Sequence, residues 1–157
     1  MRWDLDNMKK FVFSLAFLLK MKILEEKRLK IELSEIEIKL QKLIVKIREN
    51  KEGFQRYRNE YNVLLNKGVD ANAVEVYKNY FYHYRTLSLE LEEKLLEINA
   101  EKELLQQKIR EVLAEKKALE NLKAKQYQEY LVEQQKELEK EINDFISFNS
   151  NTKGLEE

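Results

Sequence analysis

The residue types that could carry chemistry in this chain are few, and their spacing points to recognition rather than to catalysis. His83 is the only histidine, cysteine is absent, and the three glycines stand far apart, so no glycine-rich loop exists to cradle a phosphate. The carboxylates recur at helical spacing instead of gathering, so no acid–base pair or metal-ligand set is assembled. A lone His83 among tyrosines reads as a surface residue. Neither an enzyme nor a metal or cofactor site is expected. Two other groups remain. Phe54, Tyr57, Tyr61, Tyr77, Tyr80, Phe81, Tyr82 and Tyr84 concentrate rings in one stretch, and rings with a polar end are favoured at protein interfaces. Lys20, Lys22, Lys116, Lys117, Lys123 and Lys125 form a second, basic set; basic residues on helices are ordinarily just solvated, so alone this set says less.

The elements that must position these residues follow from composition. In 157 residues there is no proline, and 37% are charged, a balance that favours long helices over a globule. Lys plus Arg, 29, equals Asp plus Glu, 29, so no overall field draws the chain to nucleic acid or anionic lipid. Nucleic acid is therefore not an expected partner. The absence of cysteine excludes disulfides and fits a reducing compartment such as the cytoplasm. Phe11 to Leu19 superficially suggests a signal peptide, but it is too short to span a bilayer, is closed by Lys20 and Lys22, and lacks a small-residue cleavage pattern. It reads as the apolar start of a helix.

Only the stretch Asn66-Lys-Gly-Val-Asp-Ala-Asn72 can reverse the chain. Gly68 fits the left-handed position past a helix end, where Val69 could pack back on Leu64. Asn72 with Glu75 has the form of a capping box, and Asp70, with Val69 stapled to Val74, is an equally legal helix start. Before this turn, apolar residues recur at the alternating four-and-three spacing of a heptad seam: Leu15, Leu19, Leu29, Leu33, Ile36, Leu40, Leu43, Ile47, Phe54, Tyr57, Tyr61 and Leu64, interrupted by Lys22, Glu26 and Asn50. After it the rule repeats from Tyr77 through Phe81, Tyr84, Leu91, Leu95, Ile98, Leu105, Ile109, Val112 and Leu119, interrupted by Ser88, Lys102, Lys116 and Lys123. Gly53, inside the first helix, costs about 1 kcal/mol relative to alanine and marks a soft point or a close approach.

Folded back at Gly68, the two copies of the seam match. Tyr61 is expected opposite Tyr77, Tyr57 opposite Phe81, Phe54 opposite Tyr84, Ile47 opposite Leu91 and Leu43 opposite Leu95, each layer joining an a to a d position as antiparallel helices require. Asn50 falls opposite Ser88 as a shared polar layer. Lys22 faces Lys116 with Glu26 a layer away, so the end far from the turn should be looser, its lysines reaching outward.

The expected fold is all-α, a long antiparallel two-helix coiled-coil hairpin with a C-terminal helix overhang. Its expected parts are a tail over 1–13, the first helix over 14–67, a turn over 68–72, the second helix over 73–148, and a disordered tail over 149–157. The arms differ in length, about 80 Å against about 115 Å, so the second helix overhangs from about residue 128. There Tyr127, Leu131, Leu138 and Phe145 take a new phase and are expected to face something outside the hairpin.

Three stretches together resemble the flagellar export family FliJ, small antiparallel coiled coils of the flagellar type III secretion apparatus: Phe11-Val-Phe-Ser-Leu with Leu18-Leu19, the tyrosine-rich turn from Tyr57 to Leu87, and Glu115-Lys-Lys-Ala-Leu-Glu-Asn-Leu-Lys-Ala-Lys-Gln running into Gln135-Lys-Glu-Leu. The resemblance covers most of Phe11 to Phe145. It implies a non-enzymatic stalk that enters and activates a hexameric export ATPase, FliI, with its regulator FliH, and links it to the export gate FlhA and to substrate chaperones. It also implies a cytoplasmic protein, peripheral at the inner face of the cell membrane. Carried onto this chain, the ATPase-binding end comprises Lys20, Lys22, Lys116, Lys117, Lys123, Lys125, Gln126 and Tyr130. The gate-binding tip comprises Tyr57, Tyr61, Tyr80, Tyr82 and Tyr84.

Two alternatives stay open: a structural spacer that self-associates through Tyr127, Leu131, Leu138 and Phe145, and the equivalent stalk of a virulence secretion system. A stalk is expected to be mainly monomeric at micromolar concentration, and a spacer to be a stable dimer or larger.

Overall fold

The computed structural model describes residues 10–153. Residues 1–9 of the expected tail and the end of the chain from Gly154 lie outside the described residues. Two helices account for nearly everything else: α1, Ala16–Lys67, and α2, Ala71–Lys153. The fold is all-helical, two long helices packed against each other as a helical hairpin.

The reversal occurs where the sequence permits it. Gly68 has φ +84°, a conformation in which a side chain would be strained, and its N–H donates to the Leu65 carbonyl at 3.4 Å. That contact is one half of the Schellman pattern. Of the two legal starts for α2, the chain uses Asp70, whose carbonyl accepts from Ala73 N (3.0 Å) and Val74 N (3.3 Å). At the far end α2 continues beyond residue 148 to Lys153, because no helix breaker intervenes before Gly154.

The chain divides into two compact units. In the turn unit, Glu26–Glu111, the buried residues are those of the heptad seam: Leu29, Ile36 and Leu43 from α1, Leu91, Leu105 and Ile109 from α2. Only one partner helix covers each, so the core is a single file. Lys102, which breaks the seam on α2, is satisfied by Glu37 across the interface at 3.2 Å. Glu26, buried at a seam position, takes Lys30 Nζ at 2.6 Å.

Asn50 departs from expectation. It is buried, but its Nδ2 donates to the Tyr84 backbone carbonyl at 3.2 Å rather than to Ser88, whose hydroxyl turns to Glu92 on its own helix at 3.4 Å. The Asn50 Oδ1 atom is buried without a partner, a cost of the kind that holds a coil in one register. Gly53 explains why Tyr84 comes so near: a Cβ there would sit 2.8 Å from the Tyr84 hydroxyl oxygen. The glycine is a close approach, not a soft point.

The end unit takes in Met1–Glu25 and Val112–Glu157, and its core is Phe13, Leu19 and Val112. Leu15, expected in the seam, is exposed. The helix starts only at Ala16, whose N–H closes a turn onto the Phe13 carbonyl at 3.1 Å, so Leu15 lies in that turn and Phe13 takes the covered place.

Candidate protein-interaction surfaces

Within the turn unit the rings form a continuous stack across both helices. Tyr61 meets Tyr77 with ring centroids 5.3 Å apart and Phe54 meets Tyr84 at 6.5 Å, two of the three expected aromatic pairs. The expected Tyr57–Phe81 layer is replaced. Phe81 seats between Phe54 (5.5 Å) and Tyr61 (5.7 Å), whereas Tyr57 lies parallel on Tyr80 at 4.5 Å and reaches Tyr84 at 5.7 Å and Tyr77 at 6.3 Å. Knobs entering holes sit between facing residues, not opposite them.

This arrangement separates the five predicted tip residues. Tyr57, Tyr61 and Tyr84 are half-buried parts of the stack. Tyr80 keeps one face on Tyr57 and is 41% exposed; Tyr82 is 73% exposed and has no ring contact among the described residues. His83 is exposed with its edge toward Tyr84 at 5.8 Å. The crowding raises the Tyr57 hydroxyl pKa, first because an ionised Tyr80 would repel its charge, then through burial and Tyr84. The tip therefore offers one free ring, Tyr82, and, on another side of α2, the open face of Tyr80.

In the end unit, Lys22 meets a carboxylate where the seam pattern put a lysine. Its ammonium is bonded to Glu115 on α2 and to Glu25 at 3.1 Å, and those two bonds, Glu115 first, raise its pKa and fix its charge. Lys22 is thus committed inside the fold. Lys20, Lys117 and Lys123 are exposed, and Lys125 is exposed with Glu129 at 4.0 Å. Lys116 is half-buried. Lys20 and Lys22 are two residues apart and so face different directions, while Lys116 and Lys123 share a face.

Tyr127 and Tyr130 have an internal partner that periodicity did not reveal. Phe11 seats on both rings, 5.2 Å from Tyr127 and 5.6 Å from Tyr130. Tyr127, expected to point away from the hairpin, is thus partly covered by it. Gln126 and Tyr130 are half-buried. From residue 135 to 151 every position of α2 is exposed, Leu138, Ile142 and Phe145 included.

Sequence reasoning also missed a stripe on the outer side of α1. Ile31 and Ile38 are 62% and 54% exposed, followed by Val45, at a strict seven-residue interval. The seam search passed over them because they occupy the heptad position pointing away from the partner helix; the same interval begins in sequence at Phe17 and Leu24.

Among the described residues no helix is long and apolar enough to cross a membrane. A family model described as Flagellar FliJ protein matches residues 11–154. No curated protein and no solved structure matches the chain.

Proposed function

Since this chain belongs to the FliJ family of flagellar proteins, we propose that it acts in flagellar protein export as a central stalk that enters and activates the hexameric export ATPase. Membership itself makes it a component of the flagellar export apparatus; the observation that carries the stalk reading is the family match, which spans both helices from residue 11 to 154. A flagellar family favours this reading over the virulence counterpart.

The stalk has two working surfaces. Lys20, Lys117, Lys123 and Lys125, exposed on the end unit, meet the ATPase, with Lys116, Gln126 and Tyr130 beside them. Lys22 holds the helices together beneath. Tyr82 and the open face of Tyr80 meet the export gate, and Tyr57, Tyr61 and Tyr84 build the stack that holds Tyr80 in place. Through the gate the protein is peripheral to the membrane, on the cytoplasmic side. The ATPase regulator and substrate chaperones share this assembly.

The test is steady-state ATP hydrolysis by the flagellar export ATPase with and without this protein, beside light scattering of the ATPase. Faster hydrolysis with more hexamer is the expected result. Unchanged hydrolysis and unchanged assembly would overturn the stalk reading.

A further inference from the structure

We propose that the exposed end of α2 from one copy of this chain docks on the outer face of α1 from a second copy, head to tail. Both halves of the contact are present. The acceptor is the stripe Ile31, Ile38 and Val45 in the turn unit, exposed on the side of α1 that faces away from the seam. The corresponding outer positions of α2 are Thr86, Glu93, Ala100 and Gln107, so only α1 offers an apolar back. The donor is Leu131, Leu138 and Phe145 in the end unit, exposed and at the same seven-residue interval. Each stripe runs about 21 Å along its helix, and equal seven-residue intervals let two helices keep their stripes in register.

Charge selects the occupant. On the acceptor, Lys27 and Arg28 lie one turn before Ile31 and Lys42, Lys46 and Arg48 surround Val45, a basic excess over the same-face carboxylates Glu35 and Glu49. On the donor the charges next to the stripe are acidic: Glu137 and Glu139 adjoin Leu138, Glu141 lies one turn before Phe145, and Asp144 adjoins it. Arg28 is 3.5 Å from Glu32, an exposed pair on its own helix of the kind that contributes little and is easily exchanged. Two donor ends would repel each other, and an acidic helix is the wrong sign for an anionic membrane surface, where Lys and Arg are needed on the polar face. The stripe is continuous with the internal contact at Tyr127 and Tyr130, where Phe11 covers α2.

Three apolar residues a side fall short of the roughly 1,200 Å² that a stable interface buries. The association is therefore weak and transient, so single chains are expected in dilute solution and association on concentrating the protein. Because donor and acceptor are different surfaces, the contact is heterologous and adds chains beyond two unless it closes into a ring. It does not depend on the stalk reading.

Sedimentation equilibrium of the full chain tests this, from about 10 µM to about 1 mM, a range set by that small interface. The wild type is expected to rise from the mass of one chain to well beyond it. Ile38→Lys removes the acceptor and Leu138→Glu removes the donor. Both residues are exposed, so circular dichroism should show helicity retained, and each variant alone is expected to stay a single chain. Mixed, the two variants are expected to pair, because one keeps a working donor and the other a working acceptor. A wild type that remains a single chain to the highest concentration would overturn the proposal, as would association by either variant alone. Two variants that stay single when mixed would overturn the head-to-tail pairing.

Discussion

The turn unit and the end unit solve the same problem with different side chains. A two-helix seam has too little interior to bury its residues completely, and in the turn unit the remedy is breadth: Phe54, Tyr57, Tyr61, Tyr77, Phe81 and Tyr84 overlap so that each of these rings touches at least two others. In the end unit the remedy is charge pairing and a single added ring, Lys22 held by Glu115 and Glu25, and Phe11 laid over Tyr127 and Tyr130. The first is half-buried and geometrically demanding. The second is sensitive to salt and leaves lysines exposed. A surface built on overlapping rings can present one ring accurately to a partner; one built on exposed charge suits a partner that must be reached and left.

The largest expected effect is at the stack. Tyr57→Ala removes contacts with three rings and is expected to cost about 2–3 kcal/mol in denaturant unfolding, somewhat under the range for fully buried aromatics. A loss below about 0.5 kcal/mol, the scale of surface changes, would mean that the stack does not stabilise the unit.

Gly53→Ala gives a sharper test because its sign depends on Tyr84. In the wild type the added methyl meets the Tyr84 ring at under 3 Å, and overpacking of about 1–3 kcal/mol outweighs the helix gain of about 1 kcal/mol. In a Tyr84→Ala background the same substitution is expected to stabilise. Stabilisation in both backgrounds would show that the close approach is unimportant.

At the tip, Tyr80→Ala and Tyr82→Ala should part company. Tyr80 lies on Tyr57 and its loss should lower the melting temperature, whereas Tyr82→Ala should change stability by less than about 0.5 kcal/mol while weakening binding to the export gate. Equal stability losses would reassign Tyr82 to packing.

The smallest effects concern charge. Lys22→Gln should lower the melting temperature slightly at low salt and hardly at all at high salt. Raised pKa values at Lys22 and Tyr57 act in one direction. Each group contributes its full stabilisation below its unfolded pKa, because both folded and unfolded states are then protonated. As pH rises the unfolded chain gives up its proton first, so the contribution is lost through the alkaline range above about pH 10. Absorbance of tyrosinate should show one tyrosine ionising late, and Tyr80→Phe should bring it back toward the others. No late tyrosine would mean that solvent screens the Tyr57 hydroxyl from Tyr80.

Much of this was legible from spacing. A chain without proline and with Gly68 as the available reversal point left one topology, and the heptad seam gave Leu29, Ile36, Leu43, Leu91 and Leu105 as core. Periodicity reports only residues on a regular helix facing its partner. Phe11 escaped it because it lies before Ala16, in irregular chain, and Leu15 was misread for the same reason. The partner of Asn50 escaped because a side chain can bond a backbone carbonyl, which every residue has. The outer stripe of α1 was legible in principle, at the position opposite the seam, but a heptad seam accounts only for the residues that face the partner helix.

The most direct test of the stalk account is stimulation of the export ATPase by paired variants. Lys117→Glu with Lys123→Glu should abolish most of the stimulation without changing helicity, and Tyr82→Ala should leave it intact. Stimulation lost with Tyr82 and kept without Lys117 and Lys123 would contradict the assignment of the two surfaces.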